Sequence, residues 1–167
     1  MQTNKRLMFR RQRRGYFETD ESAPPPVKVR IQRCVNFSEV DAMGIVWHGN
    51  YPKYFEAASA ELGRQCGLSY RDYYRAKVHA PIVQLHVDYH RPVVLEEIID
   101  VEARYIWSEG SRLYTEFVVY GANERIAVTG YTIQMFVDSL SREPLLTSPE
   151  IFEECRKRWN AGEFHSG

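Results

Sequence analysis

Between Phe37 and Glu56 the chain reads FSEVDAMGIVWHGNYPKYFE, placing a carboxylate, Asp41, and an imidazole, His48, just ahead of a run with helical spacing. A carboxylate in such a place can attack an electrophilic carbonyl, or deprotonate a water that does so. The first amides of a helix lack internal acceptors and lie at the positive end of its dipole. The N–H groups at His48 and Gly49 are therefore candidates to hold negative charge developing on a carbonyl oxygen. Turn formers fill the same stretch, yet Ile45, Val46 and Trp47 form an apolar knot among them. Loops ordinarily keep bulky apolar groups out of water. The knot is expected to pin the loop in the core, with Trp47 as packing, so that Asp41 and the amides converge. Taken alone, Asp41 reads as a turn or cap carboxylate and His48 as a satisfied loop histidine.

The elements that position this loop follow from periodicity. Val27, Val29, Ile31, Arg33 and Val35 alternate with polar residues, predicting a strand with one buried face. From Pro52 to Cys66, Phe55, Ala58, Ser59, Leu62 and Cys66 recur at helical spacing, with Pro52 suited to the first turn and Gly67 to the position past the end. The small residues Ala57, Ala58, Ser59, Ala60 and Gly63 suit a helix lying close to a sheet. Ser69-x-x-Asp72 has capping-box form and opens a short helix through Ala76. Four strands are expected next, around Val83–Tyr89, Ile99–Trp107, Leu113–Tyr120 and Ile126–Val137. A last helix is expected with Ser148 as cap, Pro149 in its first turn, and Ile151, Phe152, Cys155 and Trp159 on one side. The order predicts an α+β fold, a five-stranded antiparallel sheet wrapped around one long helix, with a short and a C-terminal helix besides. Its other face and its edges still need cover, which points to a dimer or a dimer of dimers.

Composition bounds the rest. A chain of 167 residues, 44% hydrophobic and 13% aromatic, suits one folded domain rather than a disordered chain. No stretch reads as a membrane span or a secretory h-region, so a cytoplasmic protein is expected. Cys34, Cys66 and Cys155 are far apart and odd in number, which favours reduced thiols over a disulfide framework or a zinc site. Residues 1–26 hold six basic and three acidic side chains and end in Ala23-Pro24-Pro25-Pro26. Residues 27–167 keep 16 basic against 19 acidic, a balance of −3, a poor surface for nucleic acid. The chain thus divides into an N-terminal arm (1–26), a domain (27–160) and a C-terminal tail (161–167). The arm is expected to be solvated and mobile, its sharper alternative being an electrostatic contact with an acidic partner. Gln84, His86, Asp88 and His90 share one face of a strand; alternation alone explains the spacing, and a solvent-exposed or interfacial polar face is favoured over a metal site.

The run Asp41-Ala42-Met43-Gly44-Ile45-Val46-Trp47-His48-Gly49-Asn50-Tyr51, followed by Lys53-Tyr54-Phe55-Glu56, resembles the signature of the 4-hydroxybenzoyl-CoA thioesterase family, roughly D-x-x-G-x-V-x-H/Y-x-N-Y-x-x-Y-F-E. The resemblance implies a hotdog fold whose subunits join sheets, with active sites at the interface. It implies hydrolysis of acyl thioesters of coenzyme A or acyl carrier protein, without a cofactor or metal. It carries the catalytic carboxylate onto Asp41 and a functional histidine onto His48, with the His48 and Gly49 amides polarising the carbonyl. Asn50 would cap the helix or orient the loop, Tyr51 and Tyr54 would line the acyl channel, and Trp47 has a substrate wall as its alternative role. The pattern departs at Phe37, where the acyl-CoA branch often has Tyr. That departure keeps open a non-catalytic thioester-binding or assembly subunit of a lipid or polyketide pathway. A hotdog hydratase or dehydratase, whose signature resembles D-x-N-P-x-H, fits less well because Asn50 follows the histidine.

Overall fold

The structure is a computed structural model that describes residues 15–164. The basic cluster Lys5–Arg14, with the electrostatic contact expected of it, lies outside the described residues, as does the end of the C-terminal tail. Strand β1 (Val27–Cys34) leads through the loop to helix α1 (Tyr51–Cys66) and the short α2 (Tyr70–Ala76). Then come β2 (Val78–His79), β3 (Ile82–Tyr89), β4 (Ile98–Ile106), β5 (Arg112–Gly121), β6 (Arg125–Met135), β7 (Val137–Asp138) and α3 (Glu150–Asn160). Five strands form one antiparallel sheet in the order β1-β4-β5-β6-β3. This is the expected hotdog architecture. The two-residue strands β2 and β7 pair separately, a small sheet too short for periodicity to reveal.

Helix α1 forms where the spacing predicts it. Pro52 stands in its first turn, where a missing N–H breaks no internal bond, and Gly67 closes it at φ 75°, with its N–H on the Gly63 carbonyl. Tyr51, Tyr54, Phe55, Ala58, Leu62, Gly63 and Cys66 make up its buried stripe. Phe55 stacks on Phe117 of β5 with ring centroids 4.4 Å apart and planes 5° from parallel. Gly130 of β6 makes room for that stack, because a Cβ there would stand 2.7 Å from the Phe55 ring and 2.4 Å from the His86 carbonyl. Helix α2 carries the expected capping box, with the Ser69 N–H on Asp72 Oδ2 at 2.9 Å and the Asp72 N–H on Ser69 Oγ.

Two expectations need correction. Pro149 is the cap of α3 rather than part of its first turn: its ψ of 154° is extended, while its carbonyl accepts the Phe152 and Glu153 N–H groups. Tyr16 and Phe17 of the N-terminal arm are also not free in solvent, while Glu18–Ser22 are exposed as expected. The N–H groups of Tyr16 and Phe17 both donate to Glu116 Oε1, the latter at 3.1 Å. The Tyr16 hydroxyl lies 2.8 Å from Asp88 Oδ2 and 2.6 Å from Thr129 Oγ1, and the Phe17 ring packs against Tyr114 and Tyr131. Glu116 points to the face of the sheet away from α1 and is buried there. A buried carboxylate needs donors, and this strap supplies them.

Candidate active site

The loop before α1 is built by backbone pairing that the sequence pattern did not reveal. Val40 bridges Val46 and Ile45 bridges Val94, so the segment folds back on itself and also joins the stretch after β3. The Asp41 N–H donates to the Ile45 carbonyl at 2.8 Å, and Gly44 completes the turn at φ 75°, in the left-handed region that favours glycine. The Val46 N–H donates to the Val93 carbonyl at 2.8 Å, and the Leu95 N–H to the Gly44 carbonyl at 3.2 Å. Within the turn the Met43 N–H donates to Asp41 Oδ1 at 2.8 Å, leaving Oδ2 without a partner among the described residues. Asp41 is thus half-exposed, with one carboxylate oxygen held and the other open.

At the other end of the loop, Glu39 acts as a hub. Its carbonyl accepts from the Trp47 N–H at 2.9 Å and from Asn50 Nδ2 at 2.8 Å. Its carboxylate takes Arg33 Nη2 at 2.9 Å and the Asn36 N–H at 2.8 Å. Asn50 is buried and also accepts from Lys53 Nζ at 3.0 Å, so its role in orienting the loop is visible in its bonds, although it makes no side-chain cap. Residues His48–Asn50 form a single 3-10 turn leading into α1. Its first bond runs from the Asn50 N–H to the Trp47 carbonyl, so the His48 and Gly49 amides precede all internal pairing and face out along the dipole.

Three residues sit differently from expectation. Trp47 is not in the core: it is 49% exposed, and its indole lies over Gly49, where a Cβ would come within 2.1 Å of the ring. Val46 alone of the apolar knot is buried; Trp47 shields the start of the helix and stands 4.9 Å from the His48 ring. Tyr51 and Tyr54 are core residues, 3% and 0% exposed, rather than open to solvent. The reason is their place on the buried stripe of α1, which faces the sheet. Burial pushes the Tyr51 hydroxyl up to about 12 and the Tyr54 hydroxyl higher still, the latter helped by the nearby Glu39 charge. Among the described residues the Tyr54 hydroxyl meets no partner in hydrogen-bond geometry, while the Arg33 guanidinium lies 4.6 Å from its ring centre.

His48 is exposed, and no hydrogen bond joins its side chain to Asp41 among the described residues. Its carbonyl does have a partner: the Tyr89 hydroxyl, at the end of β3, donates to it at 2.9 Å. Alternation along β3 shows that Tyr89 shares the α1 side of the sheet, but nothing in the sequence names its partner. Glu39 was also missed, although Asn36-x-x-Glu39 has capping-box spacing and forms one. Of the polar set on β3, His86 pairs with Asp88 at 3.1 Å, Gln84 donates to the Tyr131 hydroxyl, and His90 meets Thr129 Oγ1 at 2.8 Å. Among the described residues no group of three or more His, Cys, Asp or Glu could hold a metal, and no helix is long and apolar enough to cross a membrane.

Comparison with known proteins bears on this loop and its helix together. Residues 35–155 match the model of the thioesterase-like superfamily. The chain belongs to that superfamily. It is 26% identical over 114 residues to the putative acyl-CoA thioesterase YneP of Bacillus subtilis, covering 66% of this chain and 80% of the relative. It is 21% identical over 123 residues to the acyl-CoA thioester hydrolase YbgC of Escherichia coli O6:H1, covering 74% and 92%. A DHNA-CoA thioesterase structure from Staphylococcus aureus superposes with a TM-score of 0.69 at 21% identity, over 81% of this chain and 95% of that one. At that identity the likeness shows the fold alone. The family and fold expected from the Asp41–Glu56 motif are those found, and the superfamily is one of thioesterases.

Proposed function

We propose that the protein hydrolyses acyl-CoA thioesters at the loop that opens α1. Asp41 activates the attack, as general base toward water or as nucleophile. The His48 and Gly49 amides take the charge that develops on the thioester oxygen, and the exposed His48 imidazole stands ready to protonate the leaving thiolate. The observation that carries this reading is the coincidence, in one short loop, of a carboxylate oxygen and two amides at a helix N-terminus that have no partner among the described residues. Water adds to the carbonyl carbon, the C–S bond breaks, and a carboxylic acid and a free thiol leave. The substrate class follows from YneP and YbgC, whose names give acyl-CoA. A site this open needs walls, and a second copy added along the β3 edge, where Ile82, Val83 and Leu85 are exposed, is the proposed source.

The test is a panel of acyl-CoA thioesters, from short aliphatic to aromatic, with a thiol-trapping dye as readout. Wild type is expected to release thiol from at least one. Asp41→Asn, isosteric and unable to accept a proton or attack, is expected to lower kcat on that substrate by about 100-fold or more. Equal turnover by the two proteins would sink the role of Asp41. Saturable binding without turnover would instead favour a thioester-binding subunit.

A further inference from the structure

The hydroxyl of Tyr89 reaches across from the edge strand β3 to the His48 carbonyl, and the chemistry of that peptide explains what it does there. His48 belongs to the 3-10 turn ahead of α1, so its carbonyl looks three residues on, to Tyr51, and an α-helical donor four residues on is absent because position 52 is Pro52. The carbonyl has two lone pairs to fill. Tyr89 supplies a side-chain donor to that oxygen, at 2.9 Å, where α-helical pairing offers none, and its ring is held edge-on to Tyr51 with centroids 5.5 Å apart.

The peptide in question joins His48 to Gly49, and it is planar and trans, so its C=O and N–H point in opposite directions. A donor fixed on the His48 oxygen therefore also fixes the direction of the Gly49 N–H. It draws electron density toward the oxygen as well, which makes that N–H a stronger donor. On the other side of Gly49 the Trp47 indole blocks the space a side chain would fill. The residue between them is glycine, which tolerates many backbone angles, so outside contacts add to the 3-10 turn in holding the peptide's orientation.

We propose that Tyr89 is the positioning residue of this site: by donating to the His48 carbonyl it orients and polarises the peptide whose Gly49 N–H receives the thioester oxygen. The proposal rests on the reading of His48 and Gly49 as the charge-stabilising amides. It assigns to β3 a part in the chemistry besides forming the sheet edge. Because the contribution is indirect, its loss is smaller than loss of an oxyanion donor itself.

The test is Tyr89→Phe in the full chain, which keeps the ring against Tyr51 and removes only the hydroxyl. Its two readouts are steady-state kinetics and the backbone amide resonance of Gly49 in an assigned 15N–1H NMR spectrum. Expected are a kcat lower by about 3- to 10-fold, the scale of one neutral hydrogen bond, and a KM within about twofold of wild type. The Gly49 amide proton is expected to move upfield while amides in the sheet stay in place. A Gly49 resonance that does not move, or a kcat that holds while KM rises, would overturn the proposal. If wild type turns over no thioester, the reading of the site falls. The Gly49 resonance then still decides whether Tyr89 sets this peptide, and if it moves, the catalytic half of the proposal falls with the site.

Discussion

Trp47 and Gly49 illustrate how a residue's role can invert between sequence and structure. The indole looks like a core anchor because it is large and apolar, yet it lies half in water on top of a glycine. Gly49 is there for space: any side chain would collide with the ring. Gly49→Ala is expected to fold, because an exposed ring can swing aside, with a loss of about 1 kcal/mol at the low end of overpacking. Trp47→Ala in the same chain is expected to remove most of that loss, since the clash partner has gone. Urea denaturation of the two single variants and the double variant checks this, and additive losses would show that ring and glycine do not constrain each other.

The elements divide into those the core demands and one that it leaves unfinished. Helix α1 buries its stripe against β1, β4 and β5, and the Phe55–Phe117 stack fits because Gly130 yields the room. Strand β3 is different: among the described residues it pairs with β6 alone, at the end of the sheet, and its apolar Ile82, Val83 and Leu85 are exposed. A long apolar edge in water is a template for another strand. Sedimentation is therefore expected to give a dimer for wild type. Leu85→Lys, which puts a charge on that edge, is expected to shift the protein toward monomer and reduce turnover with it. A wild type that sediments as a monomer at assay concentration would remove the second copy from the account.

For the whole molecule the N-terminal strap matters most, because it ties Tyr16 and Phe17 to β3, β5 and β6 across the face opposite α1. Its links are titratable, and their signs can be worked out. Burial raises the Tyr16 hydroxyl from its ordinary 10 to about 12, so its contribution is full below pH 10 and is lost as pH rises toward about 12. The Tyr16 hydroxyl, and then His86, hold Asp88 below the usual carboxylate range. That contribution is present above the usual range and is lost as pH falls through the lowered value. The difference in urea midpoint between wild type and Tyr16→Phe is therefore expected to be flat from above the carboxylate range to pH 10 and to shrink at both ends. A difference that is the same at every pH would mean that the strap is held by packing alone.

Local physics accounts for what was legible in advance. Alternation of apolar residues at period two and at helical spacing dictated the five strands and α1. Pro52, Gly67 and the Ser69–Asp72 box marked helix ends because those residue types act within one turn of themselves. The Asp41–Glu56 motif carried the family, and with it the fold. Contacts made at long range were not legible. Tyr89 meets His48 41 residues away, and Tyr16 meets Thr129 113 away. Glu116 finds its donors in a strap about 100 residues away, and Tyr54 faces the core because α1 is turned that way. Sequence periodicity says which side of an element a residue occupies; only the folded chain decides what stands opposite, because that depends on the packing of every element at once.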